Sequence, residues 1–163
     1  MTDIRDATEA DLPAILAITN QAITQTVAVW SIVPATLATR HAWFQDRAAR
    51  GFPVLVAEAD GAVIGFASFG DFRPWDGYAH SVEHSLYVAP AAQGRGAGKA
   101  LLAALIGRAT ALGKHVMIGG IEAGNAASIG LHRSTGFVEA GTLREVGRKF
   151  DRWLDLLFMQ KTL

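Results

Sequence analysis

The residues best equipped for chemistry begin with a glycine-rich turn. Gln93-Gly94-Arg95-Gly96-Ala97-Gly98-Lys99 follows Leu86-Tyr87-Val88-Ala89-Pro90 and leads into Ala100-Leu101-Leu102. Glycines let the backbone approach an anion closely, and a helix start offers unpaired N–H groups with a partial positive charge. Arg95 and Lys99 add formal charge beside those amides, so the turn suits a pyrophosphate. A plain strand-to-helix turn is the alternative. A Walker A loop is excluded because Ala100, not Ser or Thr, follows Lys99, and a Rossmann fingerprint lacks its third glycine.

Glu83 stands among apolar residues of a strand candidate, where partial burial raises a carboxyl group toward the range of a general base. A carboxylate paired with a neighbouring cation is the competing reading. His132 follows Asn125 by almost two helical turns, so the two share a face with Ser128 or Ile129. It is either a second acid/base group or a packed histidine. Arg73 and Trp75 share one loop, and a guanidinium beside an indole suits a small zwitterion, Arg73 on its carboxylate and Trp75 against its side chain. Trp75 merely covering the core is the alternative. No metal is expected: His80 and His84 on a strand are about 13 Å apart, too far for one ion, and His41 and His115 lack ligand-spaced partners.

These groups need a frame. Ile4–Thr8 reads as a strand that ends at a capping box, Thr8 with Asp11, opening a helix with Leu12, Ile15, Leu16, Thr19 and Ile23 inward. A second helix follows Pro34 with Leu37, Trp43 and Phe44 inward and stops at Gly51. Pro53–Ala59 and Ala62–Phe69 form a hairpin about Asp60-Gly61. Asp71–Ala79 is a loop and Ser81–Ala89 a strand. The turn then opens a helix over Ala97–Leu112, followed by strand His115–Ile121, helix Ala126–Thr135, and strands Phe137–Leu143 and Trp153–Met159. Trp30, Trp43 and Trp153 are assigned to packing. The order predicts one α/β (α+β) domain over residues 1–163, a mixed sheet with helices on its faces.

Composition limits the partners. The 163 residues carry 15 basic and 15 acidic side chains, so no basic surface for nucleic acid is expected. The absence of cysteine removes disulfides, thiolate metal sites and a cysteine nucleophile together. The densest apolar run, Ala100–Ile106, is too short to span a membrane, and the N-terminus lacks a signal-peptide pattern. A cytoplasmic protein is the expectation.

The Gln-x-x-Gly-x-Gly pattern, with Asn125-Ala126-Ala127-Ser128 closing on Gly136-Phe137, resembles the acetyl-CoA site of the GNAT N-acetyltransferase superfamily. Val82-Glu83-His84-Ser85-Leu86-Tyr87-Val88 is similar to the strand of its phosphinothricin and methionine sulfoximine acetyltransferase branch. Gly70-Asp71-Phe72-Arg73-Pro74-Trp75, Lys114-His115-Val116-Met117, Gly147-Arg148-Lys149-Phe150 and Arg152-Trp153-Leu154-Asp155-Leu156 extend the likeness over about Ala7–Gln160. The resemblance implies a GNAT fold with a mostly antiparallel sheet and acetyl-CoA held by Leu86, Tyr87, Val88, Gly94, Arg95, Gly96, Ala97, Gly98, Lys99 and Asn125. It implies an amino acid substrate at Arg73, Pro74, Trp75, Glu83, His84 and Ser85, such as methionine sulfoximine, methionine sulfone or phosphinothricin. Glu83 and His132 are the implied acid/base pair, and a homodimer the implied assembly. Lacking cysteine, the chain would transfer acetyl by direct attack in a ternary complex. Thr19, where relatives often have Tyr, and Gly141–Glu145 depart from the branch pattern in ways that bear on the substrate pocket. Peptide N-terminal acetylation and a non-catalytic acetyl-CoA sensor are the alternatives.

Overall fold

The computed structural model describes residues 2–163. Seven strands form one sheet in the order β1-β2-β3-β4-β5-β7-β6. They are β1 (Asp3–Asp6), β2 (Val54–Ala59), β3 (Ala62–Asp71), β4 (Ser81–Val88), β5 (Val116–Glu122), β6 (Val138–Lys149) and β7 (Arg152–Thr162). The helices are α1 (Leu12–Gln25), α2 (Leu37–Ala49), α3 (Ala97–Ala111) and α4 (Ala126–Ser134). Every strand pair is antiparallel except β4 with β5. The expected mixed, mostly antiparallel sheet and the order of its elements are observed.

Two apolar layers fix the sheet between helices. On one face Leu101, Leu102 and Leu105 of α3 pack on Val82, Met117 and Leu55. On the other, Leu12, Ile15 and Ile18 of α1 meet Val54, Val56 and Phe66. Burying side chains of this size stabilises the fold by roughly 1.5–3 kcal/mol each.

The capping box forms: the Thr8 amide donates to Asp11 Oδ2 at 2.7 Å. Arg5 pairs with the same buried carboxylate at 2.8 Å, holding its pKa down at about 2. A carboxyl group depressed in the folded state stabilises above its unfolded value of 3.8, and that stability fades as pH falls through about 2. Asp11→Ala is expected to cost about 1–2 kcal/mol at neutral pH. The difference from wild type should shrink in denaturant melts below pH 4.

Several expectations need correcting. β6 runs on to Lys149 instead of ending at Leu143, and β7 starts at Arg152. Their far ends overhang the sheet, because β7 loses β5 as a neighbour beyond Leu156. Trp153, on that overhang, is therefore 61% exposed under the Arg148 guanidinium and is not part of the core. Leu37 is exposed too. It is the first residue of a helix that rides over α1 and buries no residue fully, though Trp43 and Phe44 pack against the α1 layer as expected. The overhang is tied down by Lys149, whose Nζ donates to the carbonyls of Thr26 and Val29 at 2.7 and 2.5 Å. A cation at the carbonyl end of α1 is favourably placed in the helix dipole.

Candidate active site

The single parallel pair creates the site. β4 and β5 are paired from Ser81–Val116 to His84–Gly119 and no further. Beyond that point Ser85–Val88 keep only β3, and Gly120–Glu122 keep only β7. The strands part because each feeds its own helix, β4 into α3 and β5 into α4. The gap between them is a cleft of about 560 Å³.

Its floor is the glycine-rich turn. Gly94 and Gly96 have φ of +75° and +87°, a region that other residues enter only with strain. Gly96 is the N-cap of α3 and no side chain caps the helix, so the first-turn amides remain available to an anion. A side chain at Gly96 would meet nothing within 4 Å, so the space above the turn is open for a ligand. Gly94, Gly96, Gly98 and Lys99 line the cleft. Arg95 and Ala97 do not: Arg95 is exposed, and Ala97 is buried in the α3 core. Leu86, Tyr87 and Val88 supply one wall. Asn125 lines the opposite wall and caps α4, its Oδ1 accepting from the Ser128 amide at 3.1 Å.

Alternation along β4 separates two sets of groups. His84 points to the α4 face, where its ring stacks on His132 at 5.0 Å with Nε2 to Nε2 of 3.0 Å. The His132 Nδ1 lies 2.7 Å from the Ser128 carbonyl and must donate to it. His132 Nε2 therefore accepts, and His84 Nε2 is the donor between the rings. His84 Nδ1 is left buried without a partner. Burial and the neighbouring imidazole push His84 down to about 3, and burial lowers His132 as well. Both rings are neutral at pH 7, and both His132 nitrogens are engaged. The expected secondary acid/base residue thus has both ring nitrogens in contact within the protein, one with Ser128 and one with His84.

Glu83 points to the other face and is half-buried. Burial raises its pKa, while the Arg73 guanidinium acts in the opposite sense. Arg73 is exposed, donates to the Phe72 carbonyl at 2.7 Å and lies 4.1 Å from the Phe72 ring centre. Trp75 is 66% exposed, so it does not cover the core. It leans on Tyr78, which packs on Phe72, which in turn meets Phe158 of β7. This aromatic ladder anchors the Arg73–Trp75 loop beside Glu83. Pro74 is exposed in the same loop.

Two residues missed in the sequence are Gly119 and Gly120. A Cβ at Gly119 would stand 2.8 Å from His84 Nε2 and 3.2 Å from His132 Nε2. One at Gly120 would stand 3.2 Å from Glu83 Oε1. Paired glycines inside a strand are a signal of close approach, and here they make room for all three groups. Also unforeseen were Ile18, Gln21 and Ala22 of α1, which roof the cleft.

A cleft at a sheet divergence, floored by an uncapped helix start, is matched by a family model. The acetyltransferase (GNAT) family model covers residues 15–137. The chain belongs to the GNAT acetyltransferase family. The family's class, acetyl-CoA-dependent N-acetyltransferase, is the class the sequence implied. The L-methionine sulfoximine/L-methionine sulfone acetyltransferase of Pseudomonas aeruginosa is 56% identical over 98% of this chain and 94% of its own. Among solved structures, the ribosomal-protein-alanine N-acetyltransferase of Brucella melitensis is 60% identical with a TM-score of 0.97 over 99% of both chains. The YncA protein of Salmonella typhimurium, solved with its cofactor acetyl-CoA, is 51% identical with a TM-score of 0.97 over 99% of this chain and 94% of its own. Among the described residues of this acetyltransferase, no group of three or more His, Cys, Asp or Glu could hold a metal ion. No helix among the described residues is long and apolar enough to cross a membrane.

Proposed function

We propose that this GNAT protein transfers acetyl from acetyl-CoA to the α-amino group of a small amino acid, with methionine sulfoximine and methionine sulfone as the favoured acceptors. The observation that carries this reading is half-buried Glu83 facing Gly70 across the β3–β4 pair, at the foot of the loop that carries exposed Arg73, close enough for the guanidinium to act on the carboxyl group: a carboxylate and a guanidinium for an ammonium and a carboxylate. The pyrophosphate is held by the first-turn amides of α3 with Lys99, and the pantetheine arm runs between the open edge of Ser85–Val88 and Asn125. Glu83, whose pKa burial raises toward the range of a general base, takes one proton from the acceptor ammonium in its ionised form. The freed lone pair attacks the thioester carbonyl carbon. Main-chain amides on the open edge of β4 stabilise the developing oxyanion, the second proton of the attacking nitrogen passes to the sulfur as the C–S bond breaks, and CoA leaves as the thiol.

Release of CoA that requires an added free amino acid tests this reading. Methionine sulfone should support release and its decarboxylated amine should not. Release with neither would favour the sensor, and faster release with peptides would favour peptide acetylation. Arg73→Ala should lower kcat/KM for methionine sulfone by roughly ten- to a hundred-fold, the usual weight of a charge-assisted hydrogen bond. The same variant should move the acid limb of the pH profile upward, because the cation that lowers Glu83 has gone.

A homodimer in the cytoplasm completes the proposal. β6 is an edge strand with Val138, Leu143 and Val146 exposed, next to exposed Phe150 and Trp153. Such an edge is commonly covered by a second copy. Light scattering should give twice the chain mass of 17.3 kDa, and a monomer at micromolar concentration would contradict it. A cysteine-free chain that consumes acetyl-CoA fits a reducing compartment.

A further inference from the structure

Where β6 and β7 overhang the sheet they pair only with each other, Gly147 opposite Leu154 and Lys149 opposite Arg152. Side chains alternate along such a ribbon. Arg148 and Trp153 take the outer face and are exposed. Gly147 and Lys149 take the inner face, against the turn that follows α1. Lys149 is 4% exposed, and its Nζ donates to the carbonyls of Thr26 and Val29, 123 and 120 residues away in the chain. A Cβ at Gly147 would stand 2.3 Å from the Trp30 ring, so the indole lies directly on the strand backbone. The turn is also drawn together within itself. Trp30 Nε1 donates to the Val27 carbonyl at 2.9 Å, and the Ala28 amide donates to Thr26 Oγ1 at 3.1 Å. Thr26 and Ala28 line the same cleft as Ser85 and Gly120, whereas Gly147 and Lys149 do not line it.

A buried ammonium is a costly way to fill this place. Neutral carbonyls offset its desolvation only in part, and an apolar chain of the same volume often serves a fold as well or better. What the ammonium adds is direction: its N–H donors fix where the two carbonyls stand. We infer that Lys149 is a positioning residue for acetyl transfer: by gripping Thr26 and Val29 while Gly147 seats Trp30, it holds the turn after α1 as a wall of the gap where amine meets thioester. The inference rests on the proposed attack beside Glu83 at the β4–β5 gap. A wall displaced by about 1 Å is enough to cost up to about a hundred-fold in rate.

The test sets Lys149→Met and Gly147→Ala against wild type. Methionine keeps the bulk of the stem and loses both hydrogen bonds, while alanine keeps the ammonium and displaces the indole. Each should speed amide hydrogen exchange over residues 26–30 by about ten-fold or more and leave β4 and α3 protected. Each should lower kcat with methionine sulfone by about ten- to a hundred-fold, with acetyl-CoA affinity within about three-fold, because the cofactor turn lies at α3. Lys149→Cys supplies a rescue, since its thiol is the sole one in a chain without cysteine. Alkylation with bromoethylamine in denaturant, then refolding, restores an ammonium at the same reach and should return kcat to within about three-fold of wild type taken through the same cycle. A residue that serves the fold alone would lower the melting temperature and leave kcat per folded molecule unchanged. Unchanged exchange over 26–30, or kcat within about two-fold of wild type in both folded variants, would overturn the positioning role. Wild-type enzyme inactive with every amino acid would count against the proposed acceptor, and the exchange measurement would still decide whether Lys149 holds the turn.

Discussion

Glu83→Gln is expected to lower kcat by about 10²- to 10⁴-fold at neutral pH, the usual weight of a positioned proton acceptor. Acetyl-CoA affinity should change little, since Glu83 is not among the residues lining the cofactor cleft. Gln is nearly isosteric and cannot take the proton, so the loss measures proton transfer more than shape. Wild-type activity should fall on the acid side as Glu83 is protonated, above the usual carboxylate value because burial raises it. The defect should shrink as pH rises past the reference value of an α-amine, about 8, where the acceptor arrives already deprotonated. No limb is expected at the ordinary histidine value of 6.5, because His84 and His132 are both held lower. A kcat equal to wild type across the pH range would remove Glu83 from the mechanism.

Gly96→Val is expected to have the second large effect, a loss of acetyl-CoA affinity by more than about a hundred-fold, around 3 kcal/mol. Two physical effects add. A β-branched residue at φ +87° strains the turn, at about 1–2 kcal/mol, and shifts the amides of the first helical turn. Its side chain also fills the open space above the turn that the pyrophosphate needs. Since no protein atom lies within 4 Å of that Cβ, the substitution makes no clash in the core. Calorimetry should show binding lost in a protein that still melts cooperatively. Unchanged affinity would move the cofactor elsewhere.

Local signals were legible in the sequence where one residue type fixes one geometry. Asp60-Gly61 makes the β2–β3 turn with both φ positive, Thr8 and Asp11 form their box, and Gly96 starts α3. The β6–β7 turn was not legible. It places Phe150 and Asp151 at φ of +50° and +58°, without the glycine or asparagine that normally marks such a turn. Without that marker the sequence pattern ends the sixth strand at Leu143, short of its overhang, and assigns Trp153 to packing.

At the site, Glu83, Asn125 and the glycine turn could be named because each lies in a short recognisable string. The contact of His84 with His132, 48 residues away, depends on α4 crossing beside β4. That geometry engages both His132 nitrogens, which the sequence alone could not show. Arg95 shows the opposite limit. Its charge counts toward a phosphate site in the sequence, yet the turn directs it away from the cleft walls.

Direct transfer between two bound substrates is tested most directly by intact-protein mass spectrometry during turnover with isotopically labelled acetyl-CoA. With no acceptor, the protein should keep its unmodified mass and release no CoA. On adding methionine sulfone, label should appear on its α-nitrogen in one-to-one proportion with free CoA. Label retained on the protein, or CoA released without an acceptor, would contradict direct transfer to the amine held by Glu83 and Arg73.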